Sequence, residues 1–165
     1  EERTVPRKYV VLVITTLVVV FLDQGTKAYI AGTLPLHQSW EVLPGLFNIT
    51  HIRNPGAAFG FLSGASPRFR ILFFIAVTLL ALGLILHYIY RATAGEGFQA
   101  ACLSLIFAGA AGNLIDRVRF GEVVDFLDVH WGVHHWPAFN VADAAISVGA
   151  ILLILALIRE GRAKA

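Results

Sequence analysis

Four long apolar runs, separated by more polar segments, dominate the sequence. They cover about residues 9–30, 69–90, 98–119 and 139–158. About 20 helical residues cross the roughly 30 Å hydrocarbon core of a bilayer, so each run is long enough for a transmembrane helix. The pattern predicts an all-α membrane protein in which residues 1–165 form a single integral membrane domain with four transmembrane helices.

The first run also has features of a secretory signal peptide, because basic residues at positions 3, 7 and 8 precede it. No compact cleavage site follows its apolar part. We favour a helix that continues to Ile30, in which Asp23 and Lys27, four residues apart, lie on one face and can pair.

Two longer segments, about 35–67 and 120–138, connect the spans at the same end of the bundle. Apolar and polar residues alternate over 46–53, which predicts a strand, and Asn54-Pro55-Gly56 predicts a turn. The second segment contains Trp131, Trp136 and three histidines, a composition typical of the headgroup boundary. We expect a small β element on the membrane surface.

The distribution of basic residues predicts the orientation of the four spans. An even number of spans puts both termini on one side, where seven Lys and Arg residues lie, against five on the other side. By the positive-inside rule, this excess places the termini in the cytoplasm and the two longer segments in the periplasm.

The composition supports a membrane protein. Apolar and aromatic residues make up 57% of the chain, and charged residues only 15%, where about 25% is ordinary. The net charge of +2 excludes the dense basic surface that nucleic-acid binding requires. The one cysteine, Cys102, excludes an intramolecular disulfide and a Cys-rich metal site.

Ionisable and amide side chains in or beside the spans are candidates for function, because they are costly to place in hydrocarbon. They are Asp23, Asn54, Lys27, Asn113, Asp116, Arg117, Asp125, Asp128, Asn140 and Asp143. Structural explanations exist for several of them. Asp116 and Arg117 could neutralise each other, Asn140 and Asp143 have the spacing of a capping box, and Asp128 resembles a solvated surface charge.

Asp125 and Asp143 are expected at the same membrane depth, since the third span ends and the fourth begins on one side. The apolar neighbours Val124 and Phe126 would raise the pKa of Asp125. Two carboxyl groups brought together can share one proton, so that one acts as a base and the other as an acid. The small residues at 108–112 permit close helix packing and would bring Asn113 against a neighbouring span.

Five short motifs follow one another along the chain. They are Asp23-Gln24-x-x-Lys27, Asn54-Pro55-Gly56-Ala57-Ala58-Phe59, Gly112-Asn113-x-x-Asp116-Arg117, Val123-Val124-Asp125-Phe126 and Phe139-Asn140-x-Ala142-Asp143. Together they resemble the motif set of bacterial lipoprotein signal peptidase, the signal peptidase II family of intramembrane aspartyl proteases. Each motif alone is weak, but five in the correct order are highly specific. One departure, Ala108 where the family often has Gly, affects only packing.

The resemblance implies an endopeptidase that removes the signal peptide of prolipoproteins on the N-terminal side of a diacylglyceryl-modified Cys. It implies Asp125 and Asp143 as the catalytic pair. Supporting substrate-binding positions are Asn54, Gly56, Asn113, Arg117 and Asn140. A structural polar role is implied for Asp23, Lys27 and Asp116.

The same resemblance implies a fold and a location. The fold has four transmembrane helices, a small periplasmic β-cradle and a short amphipathic periplasmic helix. The location is the bacterial inner membrane, with membrane lipids as neighbours and the active site on the periplasmic side. The resemblance implies no metal and no cofactor, and it implies inhibition by compounds of the globomycin type. Phe59 and Phe61 would clamp the substrate near the interface.

A proton-coupled transporter or channel is the alternative function, because membrane carboxylates commonly relay protons. Four short spans without an inverted repeat or a broken mid-span helix count against it. Relay carboxylates are expected near span centres, whereas these lie towards one end.

A metal site at His130, His134 and His135 is another alternative, since His130 and His134 are four residues apart, as on a helix. Adjacent His134 and His135 cannot easily face one ion from a helix, and the neighbouring tryptophans favour an interfacial segment. A rhomboid-like serine protease is disfavoured, because neither Ser63 nor Ser66 lies in a Gly-rich nucleophile motif.

Overall fold

The computed structural model describes residues 6–56, 62, 64–93 and 96–164. The elements in chain order are α1 (Arg7–Thr33), β1 (Ser39–Leu43), β2 (Phe47–Asn54), α2 (Pro67–Arg91), α3 (Gly97–Phe120), β3 (Val123–Trp131), β4 (His134–His135) and α4 (Val141–Lys164). All four helices are long and apolar enough to cross a membrane, which confirms that the four apolar runs form helices. The fourth helix begins two residues later than predicted, because Phe139 and Asn140 precede its first turn.

The helices define two ends of the bundle. At one end, here called the sheet end, α1 and α3 finish, α2 and α4 begin, and the strands connect them. At the other end, called the terminal end, α1 begins, α4 finishes and a short connection joins α2 to α3. All four strands therefore lie in the connections at the sheet end.

The strands form one antiparallel sheet in the order β1-β2-β3-β4. The predicted strand at 46–53 is confirmed as β2, whose last residue, Asn54, lies opposite Val123 of β3. A bulge in β2 between Ile49 and Ile52 places Ile52 opposite Asp125. β3 was not predicted as a strand, because its first four residues are all buried and its sequence lacks the alternation of a half-buried strand.

The short amphipathic helix implied by the resemblance is not present among the described residues of the two connecting segments. The segment 120–138 forms β3 and β4 instead. Phe59, Phe61 and Ser63, together with the end of the motif that begins at Asn54, lie outside the described residues.

Small residues bring α3 close to its neighbours, as predicted. A Cβ added at Gly109 would collide with the carbonyl oxygen of Ala142 in α4, and one at Gly112 would lie 2.7 Å from a carboxylate oxygen of Asp23 in α1. Larger side chains at these positions would separate the three helices. The contact places the polar residues at the end of α3 between α1 and α4.

Gly121 ends α3 and directs the chain into β3. It adopts a left-handed conformation (φ 76°), and its N–H donates to the carbonyl of Arg117. Glycine adopts this conformation at little cost, so the helix can end here without strain. β3 begins two residues later, so Asp125 stays close to the end of α3.

Candidate active site

Asp125 lies in β3, buried at the junction of the sheet and the helices, with 2% of its surface exposed. One carboxylate oxygen accepts a hydrogen bond from Asn54 Nδ2 at 2.9 Å, and the other accepts one from Asn140 Nδ2 at 2.7 Å. Burial raises the pKa of Asp125 to about 7, and the charge of Asp143 adds to this effect, while the two amide hydrogen bonds oppose it. Asp125 is therefore able to hold a proton near neutral pH.

Asp143 occupies the first turn of α4. Its backbone N–H donates to Asn140 Oδ1 at 2.9 Å, and its carboxylate accepts the Asn140 N–H at 3.3 Å. This reciprocal pair is the predicted capping box. The second carboxylate oxygen accepts a hydrogen bond from Asn113 Nδ2 at 2.7 Å, so the same side chain caps α4 and contacts α3.

Asn140 contacts both aspartates and is fully buried. Its side-chain amide donates to Asp125, and its backbone N–H donates to Asp143. The amide also lies 3.2 Å from Asn113 Oδ1. The structure thus brings the two predicted aspartates to one shared partner.

A buried cluster of charges lies directly beside this arrangement. Lys27 Nζ is 2.8 Å from Asp23 Oδ2, 2.9 Å from Asp116 Oδ2 and 3.0 Å from Asn113 Oδ1. The predicted pairing of Asp23 with Lys27 is confirmed. The suggested pairing of Asp116 with Arg117 is wrong, because consecutive side chains on a helix point in different directions and Asp116 faces α1.

Arg117 lies next to the two aspartates but does not form an ion pair with them. Its Nη1 donates to the carbonyl of Asn113 at 3.4 Å, the one hydrogen bond that it makes to the described residues. Its guanidinium lies 5.2 Å from the ring centroid of Phe74. The carboxylates of Asp143 and Asp125 are close enough to act on its charge. Arg117 therefore has donor groups available for a ligand.

Gly56 orients Asn54 towards Asp125. The Gly56 N–H donates to Asn54 Oδ1 at 2.9 Å, which leaves Asn54 Nδ2 to donate to Asp125. Gly56 has a positive φ of 87°, and a Cβ there would collide with the ring of Phe74. Both the conformation and the space require glycine at this position.

Asp128 lies on the opposite face of β3 from Asp125, because their positions along the strand differ by three, an odd number. The prediction that Asp128 is a solvated surface charge is wrong, because its side chain is buried against two partners. Asn48 Nδ2 donates to it at 2.9 Å, and His135 Nδ1 lies 2.8 Å away. Burial raises the pKa of Asp128, but these hydrogen bonds outweigh it and hold the pKa below its usual value.

The histidines form a stacked pair and do not form a metal-binding group. The rings of His130 and His135 lie parallel, with centroids 4.6 Å apart, and His134 is exposed. Among the described residues, no three or more His, Cys, Asp and Glu side chains are grouped so that they could hold a metal ion.

Comparison with known proteins gives consistent matches over nearly the whole chain. The family model of signal peptidase (SPase) II matches residues 15–159. The lipoprotein signal peptidase of Syntrophus aciditrophicus is 53% identical over 155 residues, which cover 94% of this chain and 96% of that protein. The lipoprotein signal peptidase of Geobacter metallireducens is 54% identical over 154 residues, covering 93% and 94%.

A solved structure of a bacterial membrane enzyme has a similar fold. It superposes with a TM-score of 0.82 at 39% identity, and the match covers 93% of this chain and 91% of the other.

Proposed function

Since the chain belongs to the signal peptidase II family, we propose that it is an aspartic endopeptidase that removes signal peptides from prolipoproteins. Asp125 and Asp143 are its catalytic pair. The observation that carries this proposal is the shared partner Asn140, which bonds to both carboxyl groups within one buried polar cluster. No metal or cofactor is needed for this chemistry.

Peptide hydrolysis by such a pair requires one ionised and one protonated carboxyl group. The ionised group removes a proton from water, and the water attacks the scissile carbonyl. The protonated group then donates its proton to the departing amine. The raised pKa of Asp125, about 7, supports the sharing of one proton between the two groups at neutral pH.

The substrate is bound and oriented by residues beside the carboxyl pair, which include Arg117, Asn54 and Gly56. The available donors of Arg117 suit carbonyl oxygens of a peptide or of an ester-linked acyl chain. Gly56 keeps Asn54 directed at Asp125, while Asn113 holds Asp143. Substrate held at this point presents its scissile carbonyl to the pair.

The substrate is a prolipoprotein whose cysteine bears a diacylglyceryl group. A site at the ends of membrane-spanning helices is reached sideways from the bilayer, and each buried CH₂ of an acyl chain contributes about 0.8 kcal/mol. The lipid thus holds the neighbouring peptide bond at the depth of the carboxyl pair. Inhibitors of the globomycin type would compete for the same position.

The single domain lies in the bacterial inner membrane with both termini in the cytoplasm. The sheet end, with the carboxyl pair, faces the periplasm, where the four strands form the cradle around the substrate. The proposed fold also includes the short amphipathic periplasmic helix that the sequence resemblance implies. The excess of basic residues on the side of the termini supports this orientation.

A transporter or channel receives no support from the positions of the polar residues. Asp143 lies in the first turn of α4, and Asp116 lies just before the last turn of α3, so both are at the sheet end. A proton relay across the bilayer requires such groups near the middle of the spans.

The test is cleavage of a diacylglyceryl-modified prolipoprotein by the purified full-length chain, followed by mass spectrometry. Asp125→Asn and Asp143→Asn should each lower turnover by about 100-fold or more, because each removes one proton-transfer group. Unmodified precursor should not be cleaved. Near-normal turnover by either variant would exclude the aspartic mechanism, and proton flux into vesicles without cleavage would favour a transporter.

A chelator provides a separate arm of this test. Cleavage should continue in its presence, because water activated by a carboxylate needs no Lewis acid. Activity that is lost on chelation and restored by zinc would instead indicate a metal at the histidines.

A further inference from the structure

The charge cluster of Asp23, Lys27 and Asp116 contacts the backbone immediately before each aspartate of the pair. Asp116 Oδ2 accepts the N–H of Val124, the residue before Asp125, at 3.2 Å. Asp23 Oδ1 accepts the N–H of Ala142, the residue before Asp143, at 2.9 Å. Two carboxylates on different helices thus each accept a hydrogen bond from the residue that directly precedes one aspartate of the pair.

Lys27 pairs with both of these carboxylates, and the Asn113 side chain links it to Asp143. Its ammonium group bonds to Asp23, Asp116 and Asn113 Oδ1. Because the oxygen of Asn113 faces Lys27, its Nδ2 points to Asp143, which it contacts at 2.7 Å. Replacing the lysine would remove the closer of the two donors to Asn113 Oδ1, the other being Asn140 Nδ2, and so would loosen the orientation of this amide.

We propose that Lys27, Asp23 and Asp116 are positioning residues, which hold the carboxyl groups of Asp125 and Asp143 at their working separation. This inference rests on the proposed function, because it assigns a role to residues that do not touch the substrate. It extends the structural role that the sequence resemblance implies for them.

The environment of the cluster fits this role. Each of its three side chains is at most 4% exposed, so water does not weaken the contacts. An ion pair that only joined α1 to α3 would need Lys27 and Asp116 alone. Instead, the Asp116 Oδ2 that pairs with Lys27 also accepts the N–H of Val124, and Gln24 Nε2 donates to Asp116 Oδ1 at 2.8 Å. The second oxygen of Asp23, Oδ1, accepts the N–H of Ala142.

The proposal predicts an effect on the chemical step. A misplacement of about 1 Å can lower a rate about 100-fold, even when the altered residue is remote from the chemistry. Asp116→Glu keeps the charge of the cluster but lengthens the side chain by one methylene, which shifts the hold on Val124. We expect its kcat to fall at least tenfold, with KM changed less than about twofold.

Lys27→Met tests the charge and the orientation of Asn113 together. The charged groups near Lys27 are Asp23 on its own helix, Asp116 on α3, Asp125 on β3 and Asp143 on α4. Removing the ammonium group disfavours ionised carboxylates, so the acid limb of the kcat–pH profile should move to higher pH as kcat falls. A purely structural role would lower the melting temperature but leave the turnover of folded enzyme and its pH profile unchanged.

Two matched controls separate position from stability. Lys8→Met makes the same change roughly 28 Å away along α1, where Lys8 donates to the carbonyls of Tyr90 and Ala92. Asp128→Glu lengthens a buried, paired carboxylate on the other face of β3. Both controls should leave kcat and the pH profile unchanged.

All variants are compared as full-length proteins in the same detergent, with turnover divided by the folded fraction from thermal melting. If Lys27→Met is too poorly folded to assay, Asp116→Glu decides the question, because it preserves the charge balance. Wild-type kcat in Asp116→Glu would overturn the positioning role. Asp125→Asn is measured in the same assay. If Asp125→Asn is active, the proposed function is refuted. If Asp125→Asn is inactive but Asp116→Glu has wild-type kcat, only the positioning role is refuted.

Discussion

The two ends of the bundle use similar polar contacts in different surroundings. At the sheet end, Lys27 lies between two carboxylates, and all three side chains are buried. At the terminal end, Lys8 donates to the carbonyls of Tyr90 and Ala92 near the surface. A buried charge without partners is strongly destabilising, whereas an exposed one is screened by solvent. Loss of any one partner of the buried charges should therefore destabilise the sheet end, whereas replacing Lys8 at the terminal end should have little effect.

The largest difference between the ends is expected at Asn140, because it bonds to both aspartates. Asn140→Ala should lower turnover by about 100-fold or more, because Asp125 loses the Nδ2 donor and Asp143 loses the Oδ1 that accepts its backbone N–H. It also removes the N-cap of α4, at a cost of about 1 kcal/mol in unfolding free energy.

Asn140→Ser separates these two effects, because serine is also a good N-cap but lacks the amide group. This variant should recover the melting temperature and remain slow in the prolipoprotein cleavage assay. Wild-type turnover in the serine variant would show that the shared amide is dispensable.

The pH dependence of cleavage should reflect the titration of Asp125. Its pKa of about 7 means that its proton is lost as the pH rises through neutrality, after which both carboxyl groups are charged. We expect turnover to fall about tenfold per pH unit above that point. A rate that stays constant to pH 9 would show that Asp125 does not supply the proton.

Protein stability must be measured over the same pH range as a control. The folded-state pKa of Asp125 lies above the unfolded value of 3.8, so its contribution to stability is complete below that value. The contribution decreases as the pH rises from there and is lost by about pH 7. A fall in turnover above pH 7 is thus separate from this change in stability.

A smaller effect is expected at Asp128, which belongs to the sheet end but not to the site. Asp128→Asn should change turnover by less than about threefold, because the residue lies on the other face of β3 from Asp125. Its lowered pKa stabilises the fold above its unfolded pKa, and this stabilisation is lost as the pH falls through the folded pKa.

The melting temperature of Asp128→Asn should therefore be below that of the wild type at pH 7, and the difference should diminish in acid. Complete inactivation would mean that Asp128, and not Asp125, is the partner of Asp143.

The smallest effect on activity is expected at the terminal end. Gln99 of α3 is buried and donates to Glu160 of α4. Gln99→Leu removes this hydrogen bond and should lower the unfolding free energy by about 1 kcal/mol, with unchanged kcat and KM. A large loss of kcat would show that the two ends are coupled and would contradict the contrast between them.

Local sequence spacing determined much of the fold. The four apolar runs determined the four helices, because length and composition alone decide whether a segment can cross a bilayer. The capping box of Asn140 with Asp143 and the pairing of Asp23 with Lys27 depend on separations of three and four residues along a helix. Such contacts form wherever the helix forms, so they are visible in the sequence.

Contacts between distant segments were decided only by the tertiary structure. Nothing local in the sequence indicates that Asp116 pairs with Lys27, or that Asn48 and His135 bury Asp128. The strand β3 was also hidden, because its first residues are buried on both faces and show no alternation. These partners lie on separate elements, and their meeting depends on how closely the small residues of α3 let α1 and α4 approach it.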